Sequence, residues 1–175
     1  MIRKIRIVIG IILYYGLAKH LPQSHAKINL CSGKIRHLCG TLILDYCGKD
    51  ANIERNAVFT TRCTLGKRSS IGINAKLGDV YIGNDVMMGP NCVILTRNHA
   101  FDRTDIPMID QGYTEPKPVT IEDDVWIGQN VIILPGRHIG KGAIIGGGSV
   151  VTHDVQEYDI VAGNPAKRIK NRKSD

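Results

Sequence analysis

His99 is the residue in this sequence whose setting best suits proton transfer. It stands near the start of a polar segment, TRNHAFDRTDIPMIDQGYTEPKPVT, that spans residues 96–120 and interrupts an otherwise regular chain. A positioned imidazole can act as a general base by taking a proton from a bound group. Long loops that leave a rigid framework often carry such groups. His99 is therefore our candidate general base.

The group that orients this imidazole is left open by the sequence. Asp102, Asp105 and Glu115 lie on the same segment, and a backbone carbonyl group would serve equally well.

The five cysteines favour packing roles over a metal centre, a disulfide framework or a nucleophile. Their number is odd and no C-x-x-C pair occurs, whereas zinc ligands are usually closely spaced and structural disulfides need partners. Cys92 lies close to His99 along the chain, but it occupies a small inward position of the repeat described next. We expect reduced thiols at Cys31, Cys39, Cys47, Cys63 and Cys92.

A six-residue period identifies the elements that must position His99. An apolar residue, often followed by glycine, recurs at every sixth position on both sides of the segment, with one five-residue step before Ile82. A helix repeats near 3.6 residues and an amphipathic strand near two, so neither explains this spacing. Three short strands separated by corners would close one coil of a parallel β-helix. The anchors are Cys47, Ile53, Phe59, Leu65, Ile71, Leu77, Ile82, Met88, Ile94, Ile121, Ile127, Ile133, Ile139, Ile145 and Val151.

The repeat predicts about five stacked coils over residues 47–155. A small or β-branched residue follows most anchors by four positions, and glycine or Asn-Asp is expected at the corners, where backbone torsions are tight. Arg137 departs from this pattern, because an arginine cannot point into a narrow coil without a partner. We expect a local turn that directs it outward.

The first 46 residues lack the period and form a predicted helical or irregular cap. Their apolar run from Ile7 to Ala18 follows three basic residues and is shorter than the roughly 20 residues of a spanning helix. No cleavage site typical of a signal peptide follows. Two interpretations stay open: a helix on a membrane surface, or a helix packed on the main domain or a partner subunit. We divide the chain into a cap, 1–46, and a β-helix domain with a basic tail, 47–175.

The formal net charge of +7 favours anionic partners such as a phosphorylated small molecule or lipid headgroups. Basic and aromatic residues do not interleave and no nucleic-acid motif occurs, so we expect no nucleic-acid partner. The predicted location is cytoplasmic, or peripheral on the inner face of a membrane if the cap binds lipid.

Residues from about 65 to 170 resemble the hexapeptide-repeat acyltransferases, in particular the sugar O-acetyltransferases of the maltose, galactoside, nodulation-factor and capsular types. The ordered set NHAFD, DIP, VWIG and AGNPAK carries the resemblance. It implies an all-β fold, a left-handed parallel β-helix with a loop at about 96–120, and a homotrimer with sites between subunits. It also implies an enzyme that moves an acetyl group from acetyl-CoA directly to a sugar hydroxyl, without a metal, in surface polysaccharide or lipopolysaccharide biosynthesis. His99 takes the position of the family's general base.

The resemblance further implies a coenzyme A groove between neighbouring subunits. Trp126 would line the thioester arm, and the basic tail would neutralise the coenzyme phosphates. One departure is His153, which stands where many family members have lysine, so coenzyme affinity is expected to differ. The residues that match groove positions are Gly89, Trp126, Gly128, Gly147, Thr152, Lys167 and Lys170.

Other functions remain as alternatives. The acceptor could be an amino sugar, serine or an antibiotic. A metal enzyme resembling γ-type carbonic anhydrases would need three converging histidines, and the histidine spacing does not match that pattern. A non-catalytic β-helix scaffold is the third alternative.

Overall fold

The cap is built from two helices that pack against each other. The computed structural model describes residues 2–174, in which helix α1 spans Ile2–Gly16, a 3₁₀ turn spans Ala18–His20, helix α2 spans Ser32–Ile43 and a second 3₁₀ turn spans Met108–Asp110. Gly10 permits close contact between the helices, since a Cβ atom there would lie 2.7 Å from the Leu42 Cβ atom. One turn later, the hydroxyl group of Tyr14 donates to the Ala57 carbonyl oxygen at 2.9 Å. The predicted helical cap is confirmed.

Short strands make up the rest of the described chain. Most are two residues long and are separated by tight corners, as a six-residue period requires. They are β1 Tyr46–Cys47, β2 Asn52–Ile53, β3 Val58–Phe59, β4 Thr64–Leu65, β5 Ser70–Ile71, β6 Lys76–Leu77, β7 Val80–Ile82, β8 Met87–Met88, β9 Val93–Ile94, β10 Val119–Ile121, β11 Trp126–Ile127, β12 Ile132–Ile133, β13 His138–Ile139, β14 Ile144–Ile145, β15 Val150–Val151, β16 Asp159–Gly163 and β17 Ala166–Asn171.

The strands form the three faces of a parallel β-helix. Sheet I has the order β1-β4-β7-β10-β13, and sheet III has the order β3-β6-β9-β12-β15. Sheet II contains β2 and β5, and then β8, β11, β14 and β16, with β17 antiparallel at its end. Each coil contributes one strand to every sheet, which gives five complete coils and part of a sixth. The predicted fold and its five coils are confirmed.

The core of the β-helix consists of the anchors and the small residues four positions after them. Except for the half-buried Cys47, every anchor is buried, as are Ala57, Ser69, Ala75, Val86, Val125, Val131, Ala143 and Ser149. Stacking of coils therefore places like residues above one another in a continuous apolar column. Phe59 is the one aromatic anchor, and its ring packs against Tyr14 of the cap with the ring centroids 5.1 Å apart.

Glycine, asparagine and aspartate form most of the corners, as predicted. Left-handed backbone torsions occur three residues after an anchor, at positions such as Asn56, Asn74 and Gly136. The glycines directly after the anchors are required instead by the close approach of the next coil. A Cβ atom on Gly66 would lie only 2.1 Å from the Gly83 carbonyl oxygen.

Gly66→Ala is expected to lower the free energy of unfolding by about 1–3 kcal/mol, because the added methyl group forces backbone apart in an interior packed at crystal-like density. Gly16→Ala is the matched control, since no atom lies within 4 Å of a Cβ placed there. Urea denaturation of both variants measures the difference, and equal midpoints would contradict this account of the glycines.

Arg137 lies at a corner and is partly exposed. Its guanidinium group donates to the carbonyl oxygens of Pro135, at 3.2 Å, and Thr152, at 3.3 Å. The preceding residue, Gly136, has a φ of 72°. The predicted local turn is present, and carbonyl groups of two successive coils hold the arginine at the corner.

Candidate functional site

The interrupting segment is a loop between β9 and β10 that folds back on itself. The Asn98 amide donates to the Thr114 hydroxyl group at 3.1 Å, and the Thr114 amide donates to the Asn98 carbonyl oxygen at 2.9 Å. The Ala100 amide donates to the Gly112 carbonyl oxygen at 3.1 Å. These bonds pair the two ends of the loop as a short antiparallel ladder. The ladder fixes the backbone of His99 opposite that of Tyr113.

The His99 imidazole is exposed and stacks on the ring of Tyr113. The two ring centroids are 4.3 Å apart and the ring planes differ by 32°. On the same phenol ring, the guanidinium carbon of Arg97 lies 4.3 Å from the centroid, a favourable arrangement of a cation and an aromatic face. Among residues 2–174, no group hydrogen bonds to either ring nitrogen of His99. Both nitrogens are therefore open to an incoming molecule.

Sequence analysis missed Tyr113 and Arg97 as neighbours of His99. The two sides of the ladder are separated by an irregular loop, so no period in the sequence relates residue 99 to residue 113. Of the three carboxylates considered as orienting groups, Asp105 is engaged by Arg103, whose Nε atom lies 3.0 Å from it. Stacking on Tyr113 is the contact that orients the imidazole in this structure.

A cleft of about 560 Å³ opens beside His99. Its floor is formed by outward side chains of sheet III, including Val58, Lys76 and Val93, and one wall is formed by the base of the loop with Tyr113. The rigid β-helix thus supplies the floor, and the loop supplies the only imidazole among the described residues that line this cleft.

The predicted groove glycines stack at the corner where the chain enters sheet III. A Cβ atom on Gly89 would lie 2.7 Å from the Gln129 nitrogen, and one on Gly128 would lie 2.5 Å from the Gly147 nitrogen. Gly147 is less crowded, since its nearest atom would be 3.3 Å away. The close approach of the next coil therefore excludes a side chain at Gly89 and at Gly128, whereas Gly147 is exposed.

Trp126 and the two lysines lie on sheet II. Trp126 is 51% exposed and stands in register with Met87 on one side and Ile144 on the other. Ile160 and Lys170 continue the same row, and Lys167 is exposed further along β17. The row gives sheet II an apolar outer stripe that ends in a cation.

The eight predicted site residues do not meet within one copy of the chain. His99 and Thr152 follow strands of sheet III, whereas the glycine column precedes strands of that sheet. Trp126 and both lysines belong to the adjoining sheet II. The hydroxyl oxygen of Thr152 lies 2.9 Å from the Nδ1 atom of His153, so the residue that departs from the family pattern contacts a predicted groove residue.

Cys92 has a packing role in the structure. It is buried, and its thiol donates to the Gly128 and Gly89 carbonyl oxygens at 3.1 and 3.3 Å. Burial raises the pKa of the Cys92 thiol and raises that of Cys47 to about 11. Because the thiolate is the reactive form, burial disfavours nucleophilic chemistry at these positions.

Within residues 2–174, no group of three or more His, Cys, Asp or Glu side chains is arranged to hold a metal ion. No helix in that range has the length and apolar character needed to cross a membrane.

Comparison with known proteins gives consistent matches to one class. The family model for bacterial transferase hexapeptide repeats matches residues 118–153. The galactoside O-acetyltransferase of Lactococcus lactis is 41% identical over 87 residues, which cover 50% of this chain and 41% of that protein. The maltose O-acetyltransferase structure from Clostridium difficile has a TM-score of 0.77 and 27% identity over 97% of this chain and 88% of its own.

A further structure, a hexapeptide-repeat acetyltransferase from Vibrio cholerae complexed with acetyl coenzyme A, has a TM-score of 0.70 and 27% identity. This match covers 79% of the chain described here and 77% of the Vibrio cholerae chain. The matched segment consists of hexapeptide repeats, and the chain is similar to proteins named as acetyltransferases. It spans about half the length, or less, of the curated relatives it matches.

Proposed function

We propose that this protein transfers the acetyl group of acetyl-CoA to a hydroxyl group of a sugar, with His99 as the general base. The observation that carries the proposal is the placement of His99 on an ordered loop at the edge of a cleft, with both ring nitrogens open. The similarity to galactoside and maltose O-acetyltransferases supports the donor and the class of acceptor.

The proposed reaction is a direct transfer. The free nitrogen of His99 takes the proton of the sugar hydroxyl as that oxygen attacks the thioester carbonyl carbon. The tetrahedral oxyanion collapses, the carbon–sulfur bond breaks, and the proton on the imidazole neutralises the departing coenzyme A thiolate. General base catalysis of this kind contributes roughly 10²–10⁴-fold. A backbone amide at a coil corner would serve as the oxyanion donor.

The proposed site is completed by a second copy of the chain. His99 and Thr152 lie on one edge of sheet III, and Gly89, Gly128 and Gly147 lie on the other. A cyclic homotrimer would bring the His99 edge of one copy to the glycine edge of its neighbour, with the coenzyme between them. Lys167 and Lys170 would then bind the phosphates as mobile cations. Sedimentation equilibrium should give a trimer, and a stable monomer with full activity would contradict this arrangement.

The acceptor class is tested by following release of the coenzyme thiol from acetyl-CoA with a panel of neutral and amino sugars. A neutral sugar is expected to raise the rate well above hydrolysis of acetyl-CoA alone, and mass spectrometry of the product should locate the acetyl group on oxygen. Turnover confined to amines would reassign the enzyme to N-acetylation. Coenzyme binding without turnover on any sugar would remove the sugar from the proposal.

Tyr113 is a positioning residue in this proposal, because its ring holds the imidazole by stacking. Tyr113→Ala is expected to lower kcat by about ten- to a hundredfold with little change in KM for acetyl-CoA, since small misplacements of a catalytic group carry costs of that size. Tyr113→Phe should restore most of the rate, because the stacking face remains. Phe101→Ala is the matched control on the same loop. Equal rates for Tyr113→Ala and Phe101→Ala would contradict the assignment.

A further inference from the structure

The net charge of this protein is concentrated in residues 1–44, which contain both helices of the cap. Residues 1–44 contain seven lysines and arginines and no aspartate or glutamate, while the rest of the chain contains sixteen basic and sixteen acidic residues. The remainder of the chain therefore has no formal net charge. The cap is basic, with Arg36 buried beside Glu54 and Arg3 paired with Asp45. Lys4, Lys27 and Lys34 are exposed in the structure. Such a cap attracts a surface of negative charge.

The outer face of α1 is apolar. Gly10 and Tyr14 are buried against α2 and the first coil, and the opposite side of the helix projects away from the protein. Along that side run Ile5, Val8, Ile9 and Ile12, at the i, i+3, i+4, i+7 spacing of one helix face. They are 53%, 55%, 48% and 66% exposed. We call these four residues the α1 stripe.

We propose that the α1 stripe docks this protein on an anionic lipid bilayer, with the helix lying in the plane of the interface. The arrangement is that of an interfacial helix, in which apolar side chains enter the headgroup boundary while basic residues contact anionic lipid. Arg3 and Lys4 precede the stripe, Arg6 lies within its span, and Lys19 follows it. At 15 residues, α1 is about 22 Å long, shorter than the hydrocarbon core.

The charge of the cap favours lipid over a second copy of the chain as the occupant. A symmetric contact through α1 would bring together two caps that each expose Lys4, Lys27 and Lys34, and residues 1–44 contain no aspartate or glutamate to pair with them across the interface. An anionic bilayer instead supplies the missing counter-charge over an extended surface. This inference is independent of the proposed acetyl transfer, because none of the α1 residues belongs to the proposed site.

Vesicle flotation tests the proposal directly. The full-length protein is mixed with vesicles of phosphatidylcholine, or of an equal mixture of phosphatidylcholine and phosphatidylglycerol. We expect flotation with the mixed vesicles only, and weaker binding as salt is raised.

Ile5→Gln with Ile12→Gln should lower the partition coefficient at least about tenfold, because two side chains no longer insert apolar groups into the bilayer. Ile109→Gln with Ile169→Gln, at two exposed positions outside the cap, is the matched control and should bind like the wild type.

Three results would overturn the proposal. The first is that the wild type does not bind either kind of vesicle. The second is that the stripe variant binds as well as the control variant does. The third is that the stripe variant sediments as a smaller species than the wild type, which would show that the stripe joins copies of the chain. Circular dichroism of both variants establishes that each retains its fold before the vesicles are added.

Discussion

His99→Ala is expected to lower kcat/KM for acetyl transfer by about 10²–10⁴-fold while leaving the affinity for acetyl-CoA unchanged. The large effect on rate follows because a sugar hydroxyl is a poor nucleophile until a base takes its proton. Coenzyme binding is spared because His99 lies on the loop, whereas all seven predicted groove residues belong to the coils or to β17. Steady-state rates by thiol release, with calorimetric binding of acetyl-CoA, separate the two quantities.

The matched control for that variant is His138→Ala. His138 is also half-exposed, but it lies on sheet I and its Nε2 atom is 2.9 Å from a carboxylate oxygen of Glu122. It should retain the wild-type rate. If His99→Ala retains the rate as well, another group removes the proton and the proposed mechanism is wrong. If His99→Ala loses coenzyme binding together with rate, the residue belongs to the coenzyme site.

Arg36→Met is expected to lower the free energy of unfolding by about 3–5 kcal/mol, the typical cost of removing one partner of a buried ion pair. Arg36 is completely buried where the cap meets the first coil. Its guanidinium group donates to the Ile53 carbonyl oxygen at 2.5 Å and to the Pro22 carbonyl oxygen at 2.9 Å, and it lies 3.4 Å from the Glu54 carboxylate. Thermal and urea unfolding measure the loss, with the exposed Arg55→Met as control.

Glu54 gives this prediction a second test. Burial by itself would raise the pKa of the Glu54 carboxyl, but donors from Asn52 and Ser24, together with Arg36, lower it. A carboxyl whose pKa is lowered in the folded state stabilises the fold above its ordinary pKa, and that contribution is lost as pH falls. Arg36→Met should therefore show a smaller loss of stability on acidification than the wild type.

Adding Glu54→Gln to Arg36→Met should recover part of the lost free energy, because it removes the unpaired charge. No recovery would show that packing rather than charge sets the cost.

The β-helix could be predicted from the sequence because an apolar anchor recurs at a regular spacing in every coil. Anchors such as Ile71 and Ile127 recur at fixed spacing, and each is buried in the structure. The same regularity made the loop visible as a break. The reason for the glycines after the anchors was missed, because single-residue torsions do not reveal that the next coil passes within 2.1 Å of a Cβ position.

Contacts between distant segments could not be predicted in this way. The stacking of His99 on Tyr113 depends on a ladder formed across an irregular loop. Arg36 follows no period, and burial of an arginine runs against the usual preference of this side chain for the surface. It is tolerated because carbonyl groups from the cap and the first coil surround the guanidinium group. The sequence also does not show that the proposed site lies on the two edges of sheet III, because that placement follows from the stacking of the coils.

Titration calorimetry of the wild-type protein with acetyl-CoA tests the central claim most directly. We predict saturable binding with a dissociation constant between micromolar and sub-millimolar, the usual range for an enzyme and its substrate, and about one coenzyme for each chain. Absence of binding at millimolar acetyl-CoA, from folded protein of the expected oligomeric state, would contradict the acetyl-donor assignment.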